Sequence, residues 1–152
     1  MNKEPLMAPR LIQGDIFIDG RGTLSFANEY NFEGIKRFYM IQNHQQGFVR
    51  AWHGHKIESK VFFCVDGTFR IGLVPLPDRD KDDSQLVEPQ YFFLDSRKPQ
   101  LLLVPAGYAN GTQNLSQLGT LMVFSNKSLA ESKSDDYRFP YDYWGDWTIE
   151  SS

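Results

Sequence analysis

Apolar positions along this chain fall in short runs with a period of two, and the runs are separated by turn residues. Leu11–Ile18 alternates partly and stops at Asp19-Gly20-Arg21-Gly22, a turn signal. Thr23–Ala27, Ile35–Gln42, Phe48–His55, Lys60–Val65, Thr68–Val74, Gln90–Leu94, Leu101–Val104 and Gly119–Phe124 read as further strands, rich in aromatic and branched residues. Asp66-Gly67 predicts a tight hairpin joining Lys60–Val65 to Thr68–Val74. No long segment carries the 3.6-residue period of a helix, and no repeat is present. Many short strands joined by turns predict an all-β sandwich or barrel in a single domain.

Composition sets the limits. The chain has 152 residues, 41% hydrophobic and 14% aromatic, enough to bury one core. A net charge of -3 argues against nucleic acid as the main partner, although a local cluster of cations can still hold an anion. Residues 1–10, polar with two prolines, read as an arm, 11–126 as the barrel and 127–152 as a tail. The tail stretch Asp135–Trp147 is crowded with aromatics and predicts a lid packed on the barrel or on a partner subunit. Pro75–Pro89, with alternating charges from Asp78 to Asp83, reads as a solvated loop. Cys64, the single cysteine, lies in an apolar run and reads as a buried, unreactive thiol. The N-terminus has no stretch of signal-peptide type, and no run is long enough to span a membrane, so a cytoplasmic protein is expected.

The chemistry concentrates between Gly47 and Gly67. His53 and His55 are two apart, so on a strand both side chains leave from one face. Arg50 precedes them and Lys60 opens the next apolar run. A lone histidine is more often a satisfied core residue, but two on one face with Arg50 and Lys60 in register point to a site. An imidazole of pKa about 6.5 can take a proton at neutral pH, and a neighbouring cation keeps it neutral and basic. For His44 a surface role is as good a reading as a ligand role, Arg21 also fits a plain turn residue, and Lys36-Arg37 reads as an exposed strand start. Tyr108 reads as packing, and Asn110 as a hydrogen-bonding residue for a loop or a substrate hydroxyl.

Two stretches resemble the motifs of the cupin family. Gly47, His53, His55 and Gly67 fall at that family's Gly, His-x-His and Gly positions, with Lys60 where it carries Glu. Pro105-Ala-Gly107, followed by Asn110 and Asn114, matches its second motif, with Asn110 in place of His. The resemblance implies a cupin barrel. Metal-binding cupins hold their ion with three His and one Glu; here two of those four positions are Lys60 and Asn110, which reads as a pocket without metal or other cofactor.

Within the cupins the chain is similar to the nucleotide-sugar branch containing the dTDP-4-dehydrorhamnose 3,5-epimerases. The likeness rests on Asp19-Gly-Arg21-Gly22, Gln42-Asn43-His44, Arg50-Ala-Trp-His53, Lys60 and Pro105-Ala-Gly-Tyr-Ala-Asn110-Gly111. It implies His53 as general base, Lys60 as the cation that steadies an enolate oxygen, Arg21 and Arg50 near the diphosphate, and Gln42 and Asn43 along the sugar. It also implies a homodimer and a dTDP- or UDP-linked sugar as ligand, with no membrane partner. The epimerases' tyrosine after the last long strand has no counterpart in Phe124–Leu129, and their C-terminal aspartate that supports the base is expected to be missing. Arg50-Ala-Trp-His53-Gly-His55-Lys56 is also similar to the motif of the sugar 3,4-ketoisomerases, in which a same-face pair of bases moves both protons. The expected function is metal-independent proton abstraction beside the ketone of a 4-keto-6-deoxy nucleotide sugar, in an epimerase. The alternatives are a ketoisomerase, or a binding module without catalysis.

Overall fold

The computed structural model of the chain describes residues 7–76 and 87–148. Twelve strands and one short helix are present among them: β1 (Arg10–Gln13), β2 (Asp15–Asp19), β3 (Gly22–Phe26), β4 (Arg37–Ile41), β5 (Val49–His55), β6 (Lys60–Asp66), β7 (Thr68–Pro75), β8 (Gln90–Asp95), β9 (Gln100–Val104), β10 (Tyr108–Asn114), β11 (Thr120–Ser125), α1 (Leu129–Lys133) and β12 (Tyr137–Arg138). Two five-stranded antiparallel sheets form the body, one ordered β1-β9-β6-β11-β4 and the other β12-β5-β10-β7-β8. Strands β2 and β3 stand apart as a two-stranded ribbon. This is the all-β cupin arrangement the sequence predicts.

The main core holds the inward residues of both sheets. Phe62, Cys64, Leu102, Leu121 and Val123 come from the first sheet, and Phe69, Ile71, Leu73 and Leu94 from the second. Burying a side chain of this size contributes about 1.5–3 kcal/mol. Tyr108 belongs to this core, as packing requires, and Cys64 is buried with its thiol pushed up to about 12, first by desolvation. A second cluster lies where the C-terminal segment covers the second sheet: Trp144 and Trp147 pack on Trp52, Val74 and Ala109. Trp52 and Trp147 both donate their indole N–H to the Tyr141 carbonyl, at 3.0 and 2.9 Å.

The sequence-predicted boundaries need four corrections. Leu11–Ile18 is two strands, because the chain leaves the first sheet at Gly14, whose amide is spent on the Pro99 carbonyl. Asp66-Gly67 is not a hairpin: β6 pairs with β9 and β11 while β7 pairs with β10 and β8, so the turn carries the chain from one sheet to the other. Gly67 suits that corner, with φ at 77° and no room for a Cβ against Ser116 and Leu118. Residues 108–114 form a central strand that periodicity does not reveal, buried along its whole length despite its polar composition. A five-residue helix, α1, follows β11, its N-terminus closed by a Ser128–Glu131 capping box. The charged part of Pro75–Pro89, residues 77–86, lies outside the described residues, as do residues 1–6 of the arm and 149–152 of the tail.

Candidate active site

A cavity of about 560 Å³ opens between the two sheets. Its first wall is β4 and β6, which contribute Arg37, Tyr39, Ile41, Gln42 (just past β4), Lys60 and Phe62. The opposite wall is β5 and β10, with Arg50, His53, His55, Asn110 and Thr112. The C-terminal segment closes the rim with Leu129, Ser132, Lys133, Asp136 and Arg138. So the second sheet supplies the imidazoles and the first supplies an ammonium and a phenol. The volume suits a small-molecule site.

A local irregularity puts Arg50 on the same wall as the histidines. Asn110 faces His53 and Thr112 faces Arg50, so Ala51 and Trp52 together oppose Gly111. Without that extra residue, positions three apart would face opposite sides of the sheet. The bulge thus puts Ala51 beside Trp52 on the tail-cluster side, while Arg50, His53 and His55 line one cavity.

His55 is buried, and its Nδ1 lies 2.8 Å from the Asp135 carbonyl. A carbonyl only accepts, so Nδ1 carries the hydrogen and Nε2 keeps its lone pair. Nε2 has no partner among the described residues. Burial, then Lys60, lowers the pKa of His55, while the Asp135 carbonyl and Glu58 act the other way. His53 is held down to about 4, first by burial and then by Lys60 and Arg138, with Asp136 opposing. Both rings are therefore neutral bases at neutral pH.

Lys60 is buried and donates to the Tyr39 hydroxyl at 3.1 Å. Its Nζ also lies 3.8 Å from Glu58 Oε1. Asn110 donates to the His53 carbonyl at 3.2 Å, tying the two strands where the base sits. Gln42 lines the cavity and donates to Thr120 at 2.9 Å. Asn43 is not on the lining; it accepts from Arg50 Nε at 2.7 Å and donates to Asn114 at 2.9 Å, so it aims Arg50. Arg21 lies on the β2–β3 turn, ion-paired to Asp19 at 2.6 Å, and does not line this cavity.

Sequence reasoning missed five participants. Arg37, read as an exposed strand start, lines the cavity and pairs with Glu58 at 3.4 Å. Tyr39 was legible only as one aromatic in a strand; the alternation that places it inward beside Arg37 was available. Glu58 drew no reading from the sequence, and its side chain is fully buried. Asp135 and Asp136 come from the aromatic tail. Asp135 accepts the amides of Lys56, Ile57 and Glu58 at 2.8, 2.9 and 2.9 Å, and its own carbonyl orients His55. The tail thus supports His55 through the backbone carbonyl of Asp135.

A jelly-roll cavity carrying an inward His pair, a buried lysine and three arginines is a cupin-fold site. Residues 7–146 match the model of the family described as FdtA: WxcM-like, C-terminal, and the chain belongs to that family. It is 28% identical over 104 residues to the spore coat polysaccharide biosynthesis protein SpsL of Bacillus subtilis (strain 168), covering 68% of this chain. The chain spans 65% of that relative's length. Among solved structures it is similar to the RmlC epimerase of Mycobacterium tuberculosis, with a TM-score of 0.75 and 16% identity over 91% of this chain and 74% of the other. It is also similar to QdtA, a sugar 3,4-ketoisomerase from Thermoanaerobacterium thermosaccharolyticum in complex with TDP, with a TM-score of 0.66 and 21% identity over 90% of this chain and 91% of the other. At these identities the structural likenesses speak for the fold, and they include both 3,5-epimerases and 3,4-ketoisomerases.

Proposed function

We propose that the chain is a nucleotide-sugar isomerase that moves a ketone between neighbouring carbons of a dTDP- or UDP-linked 4-keto-6-deoxy sugar. The observation that carries this reading is the pair His53 and His55, two neutral bases on one wall of one cavity. The first histidine takes the proton on the carbon beside the ketone. The C–H electron pair becomes the C=C bond of an enediolate while the carbonyl pair moves to oxygen. Lys60 faces that oxygen and stabilises its charge, the role for which a positioned cation suits a dry pocket. The former carbonyl carbon then takes a proton from the same face, the proton of the neighbouring hydroxyl passes to the former carbonyl oxygen, and the ketone is re-formed one carbon away. No atom is gained or lost.

Arg37, Arg50, Lys133 and Arg138 surround the same cavity, and against them the described lining residues offer only Asp136 as an acid. That balance favours a diphosphate, which guanidinium groups grip in two-point fashion. A cupin's metal does not fit here: an ammonium, Lys60, occupies the position of the anionic ligand, and Asn110 that of a third imidazole. The chain works as a homodimer. Phe17, Ile18 and Leu24 on the ribbon and Phe38 and Met40 on edge strand β4 are all exposed, and a second copy covers such faces. Arg21, at the ribbon's tip, is then placed to serve the partner's diphosphate.

A second reading has its own support. Tyr39 stands on the wall opposite the histidines, in contact with Lys60. A donor there would return a proton from the other face and produce a 3,5-epimerase. The test is incubation with dTDP-4-keto-6-deoxyglucose in D2O, followed by proton NMR. A ketone at C3 with deuterium at C4 supports ketoisomerisation. Inversion at C3 or C5 selects the epimerase. Binding with no deuterium incorporated sinks both and leaves a binding module.

A further inference from the structure

Glu58 has no step in the reaction above, yet its side chain has no exposed surface. It sits in the turn between β5 and β6. Its Oε1 lies 3.4 Å from Arg37 Nη2 and 3.8 Å from Lys60 Nζ. Its Oε2 lies 3.8 Å from His55 Nδ1 and has no hydrogen-bond partner. A buried carboxylate oxygen without a donor is unfavourable unless a nearby charge offsets it.

The charged surroundings are few. From β4 comes Arg37, from β6 Lys60, and from β5 His55 itself. Asp135, ahead of β12, faces His55 too, but its carboxylate is already occupied by three backbone amides. His53, further along β5, answers to Lys60, Arg138 and Asp136. Before proton transfer, Arg37 and Lys60 both favour Oε1. When His55 takes a proton at Nε2, a new positive charge arises beside Oε2, the oxygen that had nothing facing it.

We propose that Glu58 is a positioning residue for proton transfer: its buried carboxylate supplies the standing negative charge that steadies His55 as an imidazolium. The inference rests on reading His55 as a base. Nδ1 already gives its hydrogen to the Asp135 carbonyl, so Glu58 acts through charge and not through a hydrogen bond. It does not line the cavity and touches no substrate. Without it, only Asp135 would offset Lys60 and Arg37 against the imidazolium.

The experiment needs no substrate. The chain has three histidines, so ring-nitrogen NMR of the full-length protein resolves each titration. In Glu58→Gln, which keeps the volume and removes the charge, His55 is expected to titrate at least half a pH unit lower than in the wild type, while His44 stays put. A smaller fall, or a rise, overturns the proposal. If that variant does not fold, the wild type decides: the Glu58 carboxyl carbon must show a step at the pH where His55 titrates, and a curve without the step overturns it equally. Failure of deuterium exchange from the sugar would sink the proposed reaction and leave this titration as it stands.

Discussion

Asp135 joins the tail to the site, and replacing it tests that junction directly. Its carboxylate accepts three consecutive amides, those of Lys56, Ile57 and Glu58. In Asp135→Ala the amides of Lys56 and Ile57, on exposed residues, turn to water, and each loses about 0.5–1 kcal/mol of net hydrogen bonding. The Glu58 amide is buried, and leaving it unmatched costs about 1–3 kcal/mol. The sum is about 3 kcal/mol, a fall in Tm of roughly 6–12 °C for a chain of this size. Urea unfolding followed by tryptophan fluorescence measures it, with Trp52 reporting from beneath the tail. Burial works to raise the Asp135 pKa, but the amides of Ile57, Lys56 and Glu58 outweigh it and hold the carboxyl below its ordinary value. A carboxylate with a depressed folded pKa stabilises above its unfolded pKa, about 3.9, and loses that contribution as pH falls through the folded value. The gap between wild type and Asp135→Ala must therefore be full at pH 7 and narrow as pH falls below about 4. A loss under about 1 kcal/mol at pH 7, or a gap that does not narrow in acid, would refute the assignment.

Further outcomes follow from the same geometry. His53→Ala should cut turnover by about 10²- to 10⁴-fold with nucleotide affinity nearly unchanged, as calorimetry with TDP would record; retained turnover removes His53 from the mechanism. Lys60→Met takes a cation from beside His53, so the ring should titrate above its present value of about 4 by NMR, and an unchanged titration means Lys60 does not face it. Because His53 has a folded pKa below its unfolded value, the unfolded chain binds the extra proton first, and stability should fall as pH drops from about 6.5 toward 4. Urea midpoints that stay level across that window would contradict the burial of this ring. Phe17→Glu, on the exposed ribbon, should convert a dimer to a monomer in sedimentation; a wild type that already sediments as a monomer removes the dimer.

The fold was legible where side chains alternate and illegible where polar residues are buried. Lys60–Val65 and Thr68–Val74 announce themselves through Val, Phe and Ile. Tyr108–Asn114 does not, because Ala, Asn and Gly have poor strand propensity; its side-chain amide nitrogens nonetheless find acceptors, Gln113 Nε2 in the Gly47 carbonyl and Asn114 Nδ2 in that of Gln45. The turn at Gly67 was visible, but a glycine turn does not say whether the chain pairs with itself or changes sheet. Likewise His53, His55 and Lys60 stood out as improbable in a strand core and do share the cavity. Glu58 and Asp135 were silent because their importance is entirely tertiary: each is distant in sequence or direction from the groups it holds.

The division of labour between the sheets is what the proposed chemistry needs. Packed sheets stand about 10 Å apart, enough to admit one sugar ring between inward side chains. Bases carried on one sheet and a cation on the other cannot collapse onto each other, since both backbones are fixed by the core beneath. Lys60 is thus close enough to lower the pKa of His53 while each is held on its own wall. In the proposed reaction the product then depends on a single competition, between a proton returned by His55 from the same wall and one delivered by Tyr39 from the wall opposite. The free Nε2 of His55 favours the former, because its lone pair can take up a proton and give one back on the same face.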